Sequence, residues 1–439
     1  MHRMRRPAQG TTAFPPVIAD SPDVRAGVKS PVHLSDIRGY TRLAVDATTG
    51  LTDLVENLHS TIVHLPRPLG AAAQERTTGI TGLVYRSIRG VIRLVGGGLD
   101  LVLGQLVPLL DEVPSSSERE ALLAALNGVL GDHIAVSGNP LAIRMRLRCH
   151  GRPLELTRPA LAAAIPAAGG KIVLLAHGLC MNDLQWRRKG HDHGAALAAD
   201  VGFTPVYLHY NSGLHVSING RALAGLIEQL LQAWPAPVEE LVIVAHSMGG
   251  LIARSACHYA GVEGHDWPRH LRKIVFLGTP HHGAPLERGG NWVDVILGAS
   301  PYSAAFARLG KIRSAGITDL RYGSLVDEDW QHTDRFARSK DQRRAVPLPQ
   351  AVQCYAIGVS IATSAGGPGK PVLGDGIVPL RSALGQHANP AMNLAIPPAR
   401  QWVGYDMNHL DLLSHKDVYA QIRKWLSAEP RRRRQSALH

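Results

Sequence analysis

The run Leu241-Val242-Ile243-Val244-Ala245 passes through His246, Ser247, Met248, Gly249 and Gly250 into Leu251-Ile252-Ala253-Arg254. A wholly apolar run this short suits a strand buried on both faces. The residues after the glycines follow a helical pattern. So little chain between strand and helix leaves room only for a sharp turn at Ser247, the geometry of a nucleophile elbow. A serine in such a turn is held in a strained backbone conformation, at a cost of about 1–3 kcal/mol. Its neighbours must then be small. Gly249 and Gly250 meet that need after the serine, and Ala245 stands where a glycine is usual. The hydroxyl would project above the sheet at the start of a helix. The alternative is an ordinary buried strand that enters a helix through a polar turn. Only the rest of the chain can separate the two.

The chain has 439 residues, of which 45% are hydrophobic, enough for a sizeable core and two or three domains. Its formal charge is +12, and much of the excess sits at the ends, in Arg3, Arg5 and Arg6 and in Arg431 to Arg434. No motif interleaves aromatics with these basic residues, so nucleic acid is not an expected partner. Cys149, Cys180, Cys257 and Cys354 show no metal-ligand spacing and read as reduced, packed thiols of a cytoplasmic protein. The N-terminus lacks the apolar stretch of a secretory signal.

Residues 1–34 read as a disordered basic N-terminus and 429–439 as a disordered basic tail. Residues 35–135 read as an amphipathic helical region. There Ala47, Leu51, Leu54, Val55, Leu58 and Ile62 share one helix face. Ser117 and Glu120 form a capping-box pattern for a further helix. Residues 82–110 are apolar but carry Arg86, Arg89, Arg93 and Asp100, which argues against a membrane-spanning helix. Two readings remain for them: an intramolecular bundle, or a basic amphipathic helix lying on a membrane or other lipid surface.

From residue 140 to 428 the pattern is that of one α/β domain. A hairpin with a Gly151-Arg152-Pro153 turn opens it. Buried-strand signals follow at Lys171–Ala176, Pro205–Tyr210, Leu241–Ala245, Lys273–Leu277, Val352–Val359 and Gln401–Tyr405, with helices such as Arg221–Trp234 between them. Alternating strands and helices predict a mostly parallel, doubly wound sheet.

A serine nucleophile needs a base, and the base needs an orienting carboxylate. Asp375 lies between Gly374 and Gly376 in a loop after a predicted strand. His409 follows the Gln401–Tyr405 strand. The order Ser, Asp, His along the chain is that of the α/β-hydrolase triad. His415 is a competitor for the base, but it reads as part of a helix start, with Asp417 as capping partner. His177-Gly178-Leu179 follows the first buried strand, where such enzymes place one oxyanion-binding amide. The second belongs to the residue after the nucleophile. The expected donors are therefore the Leu179 and Met248 amides. His177, Gly178, His246 and Gly249 read as supports for the elbow and its facing loop. His281 and His282 read as loop-packing residues, because no ligand partner stands at metal spacing. No metal is expected.

Residues 289–325 read as a helical lid or cap inserted after the Lys273–Leu277 strand, either rigid or moving with substrate. Trp292, Ile296, Tyr302 and Phe306 within it are candidate substrate-pocket residues.

Together Ala245–Gly250, Leu277-Gly278-Thr279-Pro280-His281-His282-Gly283 and Gly374-Asp375-Gly376-Ile377-Val378-Pro379 resemble bacterial lipases and esterases of the α/β-hydrolase superfamily. The likeness is greatest to the branch that holds GPI inositol-deacylase-like and triacylglycerol-lipase-like domains, and it spans roughly residues 140–427. It implies a serine esterase acting on small-molecule or lipid carboxylic esters without a cofactor. Ser247 would be the nucleophile, Asp375 the acid and His409 the base. The same machinery serves acyl transfer, thioester cleavage or polyester depolymerisation, and the fold does not choose among them. A different class remains open as well: a lipid- or granule-associated binding protein that works through its N-terminal helices.

Overall fold

The computed structural model describes residues 35–36, 38–39, 116–284, 314–331, 341–364 and 374–427. The first long helix, α1 (Ser117–Val136), is capped by Ser116, whose hydroxyl accepts from Arg119 N–H at 3.2 Å. The cap is thus one residue earlier than the Ser117–Glu120 pattern predicts. Glu120 is drawn instead to Arg148, 2.9 Å away. Leu122 to Gly131 are buried without a break. A helix buried on all sides lies inside a protein rather than on it. α1 belongs to the same apolar cluster as one face of the sheet. Its buried Asn127 is fully engaged: it donates to the carbonyls of Leu123 and Leu141 and accepts from Ile143 N–H.

Next come β1 (Arg146–Cys149) and β2 (Arg152–Pro153), an antiparallel hairpin. Its turn is His150-Gly151, both residues at positive φ (50° and 74°), as two-residue hairpins prefer. The turn lies earlier than the predicted Gly151-Arg152-Pro153, and Arg152 and Pro153 pair with β1. Pro153 is tolerated there because β2 is the edge strand. Thr157 caps α2 (Arg158–Ala164).

The remaining elements are β3 (Lys171–Ala176), α3 (His193–Val201), β4 (Thr204–His209), α4 (Val216–Ala233), β5 (Glu240–His246), α5 (Met248–Glu263), β6 (Leu271–Leu277), α6 (Ala315–Asp319), β7 (Gln353–Ser360), α7 (Leu380–Ala383), β8 (Gln401–Tyr405) and α8 (Lys416–Ser427). The sheet order is β2-β1-β4-β3-β5-β6-β7-β8. β1 runs antiparallel to β4, and every pairing from β4 through β8 is parallel.

Side chains alternate across the sheet, as strand geometry requires. Ile172, Leu174 and Ala176 join the cluster with α1, α4 and α5. Val173 and Leu175 join the one with α3 and α8. Both faces are covered, so the central strands read as unbroken apolar runs. From β3 the chain goes first to β4 on one side, then back to β5 on the other. This reversal is a topological switch point, and ligands of open α/β sheets bind at the carboxyl ends of the strands there. Ala176, Ala245 and Phe276 lie in register across β3, β5 and β6, so these strands deliver their following loops to one edge.

Candidate active site

Ser247 follows β5 and opens α5 with φ 53° and ψ −124°. This left-handed conformation is rare for a residue with a side chain. It is held by the Ser247 N–H, which donates to Leu277 O at 2.8 Å, and by the Ser247 carbonyl, which accepts from Gly250 N–H at 3.0 Å. The need for small neighbours is visible in atoms. A Cβ on Gly249 would sit 2.6 Å from His177 O, and one on Gly250 would strike Thr279. Ala245 is fully buried, so its methyl is accommodated where a glycine is usual.

Asp375 and His409 come from the loops after β7 and β8. Asp375 Oδ2 accepts from His409 Nδ1 at 2.7 Å. Its Oδ1 accepts from the N–H groups of Ile377 (2.9 Å) and Val378 (2.8 Å). The main chains are joined too, since His409 N–H donates to Asp375 O at 3.1 Å. The carboxylate is therefore fixed in place, and it fixes the imidazole tautomer: Nδ1 carries the proton, and Nε2 remains as the basic nitrogen. The ring rests on Gly278 (φ 58°), where a Cβ would stand 3.1 Å from His409 Cε1.

Ser247, His246 and His409 line one pocket with Gly178, Leu179, Met181, Pro280, Ala284, Leu320, Ile377, Val378 and Leu410. Its volume is about 450 Å³, open mouth included. Apart from the two histidines and the serine, the lining is almost wholly apolar. The Leu179 side chain is part of it, and Met248 is fully buried at the start of α5. Among the described residues, no hydrogen bond occupies the Leu179 or Met248 N–H.

The supporting residues are neutral and buried. His246 Nε2 donates to His409 O at 3.2 Å. Burial, then the neighbouring His409, holds its pKa well below the usual histidine range. His177 stacks on Tyr210 with centroids 4.2 Å apart, and burial pushes its pKa down to about 3. The Tyr210 hydroxyl donates to His177 O at 2.8 Å. Gly178 faces the elbow, and a Cβ there would lie 3.0 Å from Ser247 Cβ. His415 stands just before α8, where its Nδ1 accepts from Asp417 N–H at 3.3 Å. The histidine itself is the cap, with Asp417 as donor.

Sequence reasoning missed the part α1 plays. Cys180, the residue after Leu179, has φ 58°. Its N–H donates to Ser212 Oγ at 3.0 Å, and α1 presses on it through Gly128, where a Cβ would stand 2.9 Å from Cys180 Cα. α1 therefore walls in the loop that carries the Leu179 amide. The one available signal was a glycine amid the leucines and alanines of a strong helix pattern.

Trp292, Ile296, Tyr302 and Phe306, with the rest of 289–313, lie outside the described residues, as do residues 82–110 and both tails. The part of the insertion that is described is anchored. Ser314 Oγ donates to Gly128 O at 2.6 Å, and Ala315 N–H to Asp132 Oδ2 at 3.0 Å. Asp319 accepts from Val216 N–H at 2.7 Å. Leu320 reaches the pocket. Among the described residues, no group of three His, Cys, Asp or Glu side chains is placed to hold a metal, and no helix is long and apolar enough to cross a membrane.

Residues 167–346 match the family model described as the PGAP1-like alpha/beta domain, somewhat under half of the chain. The described sheet and its helices have the α/β-hydrolase fold. Solved structures similar to it include Bacillus licheniformis lipase BlEst2 in its mature form. That match has 17% identity over 65% of this chain and 98% of that one, with a TM-score of 0.39. Aspergillus fumigatus lipase B is 13% identical over 90% of this chain and 85% of its own, at a TM-score of 0.39. A Bacillus megaterium epoxide hydrolase is 13% identical over 60% and 95%, at 0.31. Comparison with curated protein sequences finds no match. In this fold the segment Ala245–Gly250 is the turn from β5 into α5, and α1 precedes the matched region.

Proposed function

We propose that the domain is a serine hydrolase that cleaves carboxylic esters with hydrophobic acyl groups through an acyl-enzyme. The observation that carries this reading is the Asp375–His409 hydrogen bond at 2.7 Å on the rim of an apolar pocket that also exposes Ser247. His409 Nε2 takes the hydroxyl proton as Ser247 Oγ attacks the ester carbonyl. Asp375 keeps Nδ1 protonated and stabilises the imidazolium that forms. The carbonyl oxygen becomes an oxyanion, and among the described residues the Leu179 and Met248 amides have no acceptor to leave. Removing one such donor typically costs on the order of 10²–10³ in kcat. Collapse of the adduct breaks the C–O bond, and His409 returns its proton to the departing alkoxide. Water then repeats the sequence on the acyl-enzyme and releases the acid.

The apolar lining supports hydrophobic acyl groups: burying a chain in it gains about 0.8 kcal/mol per methylene. Hydrolysis of a p-nitrophenyl ester series, from acetyl to palmitoyl, by the protein and by Ser247→Ala tests the proposal. The expected result is activity that rises with chain length up to the limit of the pocket and vanishes in the variant. Equal activity in the variant, or none on any ester by folded protein, overturns it.

A further inference from the structure

The loop after β6 serves two cavities. Pro280 lines the pocket of Ser247, whereas His281 lines a second cavity of about 460 Å³, open mouth included. Arg254, His282, Arg343 and Arg344 share that second lining. The carboxylates described around it are already engaged. Asp341 is taken by Arg343 (Nε–Oδ1 and Nη2–Oδ2, both 2.9 Å), and Glu328 by Arg344 at 3.2 Å. Asp329 accepts the N–H groups of Leu325, Val326 and Arg344.

Among the described residues no carboxylate lies within ion-pair distance of Arg254, and Asp329 acts on it only from farther off. Arg254 projects from α5 with only 5% of its surface exposed. Its Nη2 donates to Val346 O at 2.7 Å, and its Nη1 faces His281 Nδ1 at 3.4 Å. A guanidinium can only donate, so His281 Nδ1 accepts and the imidazole proton sits on Nε2. Arg254 Nε and His281 Nε2 are therefore both N–H donors, both buried, and both without a partner. A buried guanidinium with no carboxylate in contact, and two orphaned donors on residues that line one cavity, are costly, and such groups call for an explanation. A bound oxyanion removes both costs at once. Guanidinium groups suit the oxygens of phosphate in particular.

We propose that this cavity binds a phosphate-class anion, held by Arg254 and His281 with Arg344 at its rim. Among the described residues the two linings have no member in common, and the neighbours Pro280 and His281 line one each. The anion site does not rest on the esterase reading, because the ligand is held by donors that take no part in the proposed catalysis. Both a free phosphate and a lipid phosphomonoester headgroup carry this chemistry.

Isothermal titration of the full chain with inorganic phosphate, against chloride at matched ionic strength, tests the proposal. The expected result is saturable binding in the native protein and none in Arg254→Met. Should that buried substitution fail to fold, Arg344→Ala decides. Its side chain is 62% exposed, and losing it should weaken phosphate binding by about fivefold, the worth of one partly exposed charge pair. Co-flotation with phosphatidate-containing vesicles but not with pure phosphatidylcholine vesicles, lost in the same variants, assigns a lipid phosphate. Phosphate binding without flotation assigns a soluble one. Absence of both, or unchanged affinity in the folded variants, overturns the site.

Discussion

His246 Nε2 donates to the main-chain carbonyl of His409 at 3.2 Å, so the residue before the elbow serine holds the loop that carries the histidine. The two rings lie 4.7 Å apart. His246 is neutral through burial and works as a brace between β5 and the loop after β8. His246→Ala leaves the His409 carbonyl without its donor, at a cost of about 1–3 kcal/mol. Ester hydrolysis should fall in kcat with little change in KM. His246→Gln, which restores an N–H at similar reach, should recover part of the loss. Equal kcat in the alanine and native proteins would contradict the bracing role.

Asp375→Asn keeps the shape of the carboxylate but replaces one of its accepting oxygens with an NH₂ donor. The amide can then hold the wrong imidazole tautomer, with the proton on Nε2. A kcat loss on the order of 10⁴ is expected, as for the corresponding change in the serine-protease triad. The measurement is steady-state hydrolysis at neutral pH, with circular dichroism to confirm folding. A loss below tenfold would remove Asp375 from the account.

Gly128→Ala places a methyl group against Cys180, next to Leu179. Overpacking of this kind costs about 1–3 kcal/mol. The variant should melt earlier. At a temperature where it is folded, kcat should fall by about tenfold or more, up to the 10²–10³ expected for complete loss of an oxyanion donor. Lower stability with unchanged kcat would make α1 a purely structural wall.

Burial pushes the pKa of His177 down to about 3 and that of His193 down to about 4. Unfolded, both titrate near 6.5. Below that pH the unfolded chain takes up protons that the folded chain refuses. The contribution of these residues to stability is therefore complete above pH 6.5 and is lost as pH falls towards 4 and 3. At pH 5 each costs about 2 kcal/mol. Urea midpoints at pH 7.5 and pH 5 check this. The expected shift is to lower urea at pH 5, and an unchanged midpoint would refute it.

Much of this arrangement was legible because buried parallel strands are short, continuous apolar runs. β3 and β8 fall where the sequence places them, and the other parallel strands shift by one or two residues. Asp375 and His409 could be singled out because each sits in the connection that follows such a strand. What escaped the sequence depends on distant partners. The periodicity of α4 is readable from Arg221, yet the helix begins at Val216, because Asp319, far along the chain, accepts its first N–H. Which serine caps α1 is decided partly by Arg148 claiming Glu120. The hairpin turn moved because His150, not only Gly151, adopts positive φ. The contact between Gly128 and Cys180 joins two segments with no local signal. Arg254 reads as one more helix residue until the fold shows that, among the described residues, no carboxylate comes within ion-pair distance of it.

The central claim is that Ser247 is a nucleophile activated by His409 and Asp375. The most direct measurement is intact-mass analysis after treatment with a long-chain fluorophosphonate, followed by peptide mapping. The account predicts one adduct, on Ser247, formed rapidly by the native protein, slowly by His409→Ala and not at all by Ser247→Ala. An unlabelled native protein, or an adduct on any other residue, would contradict it.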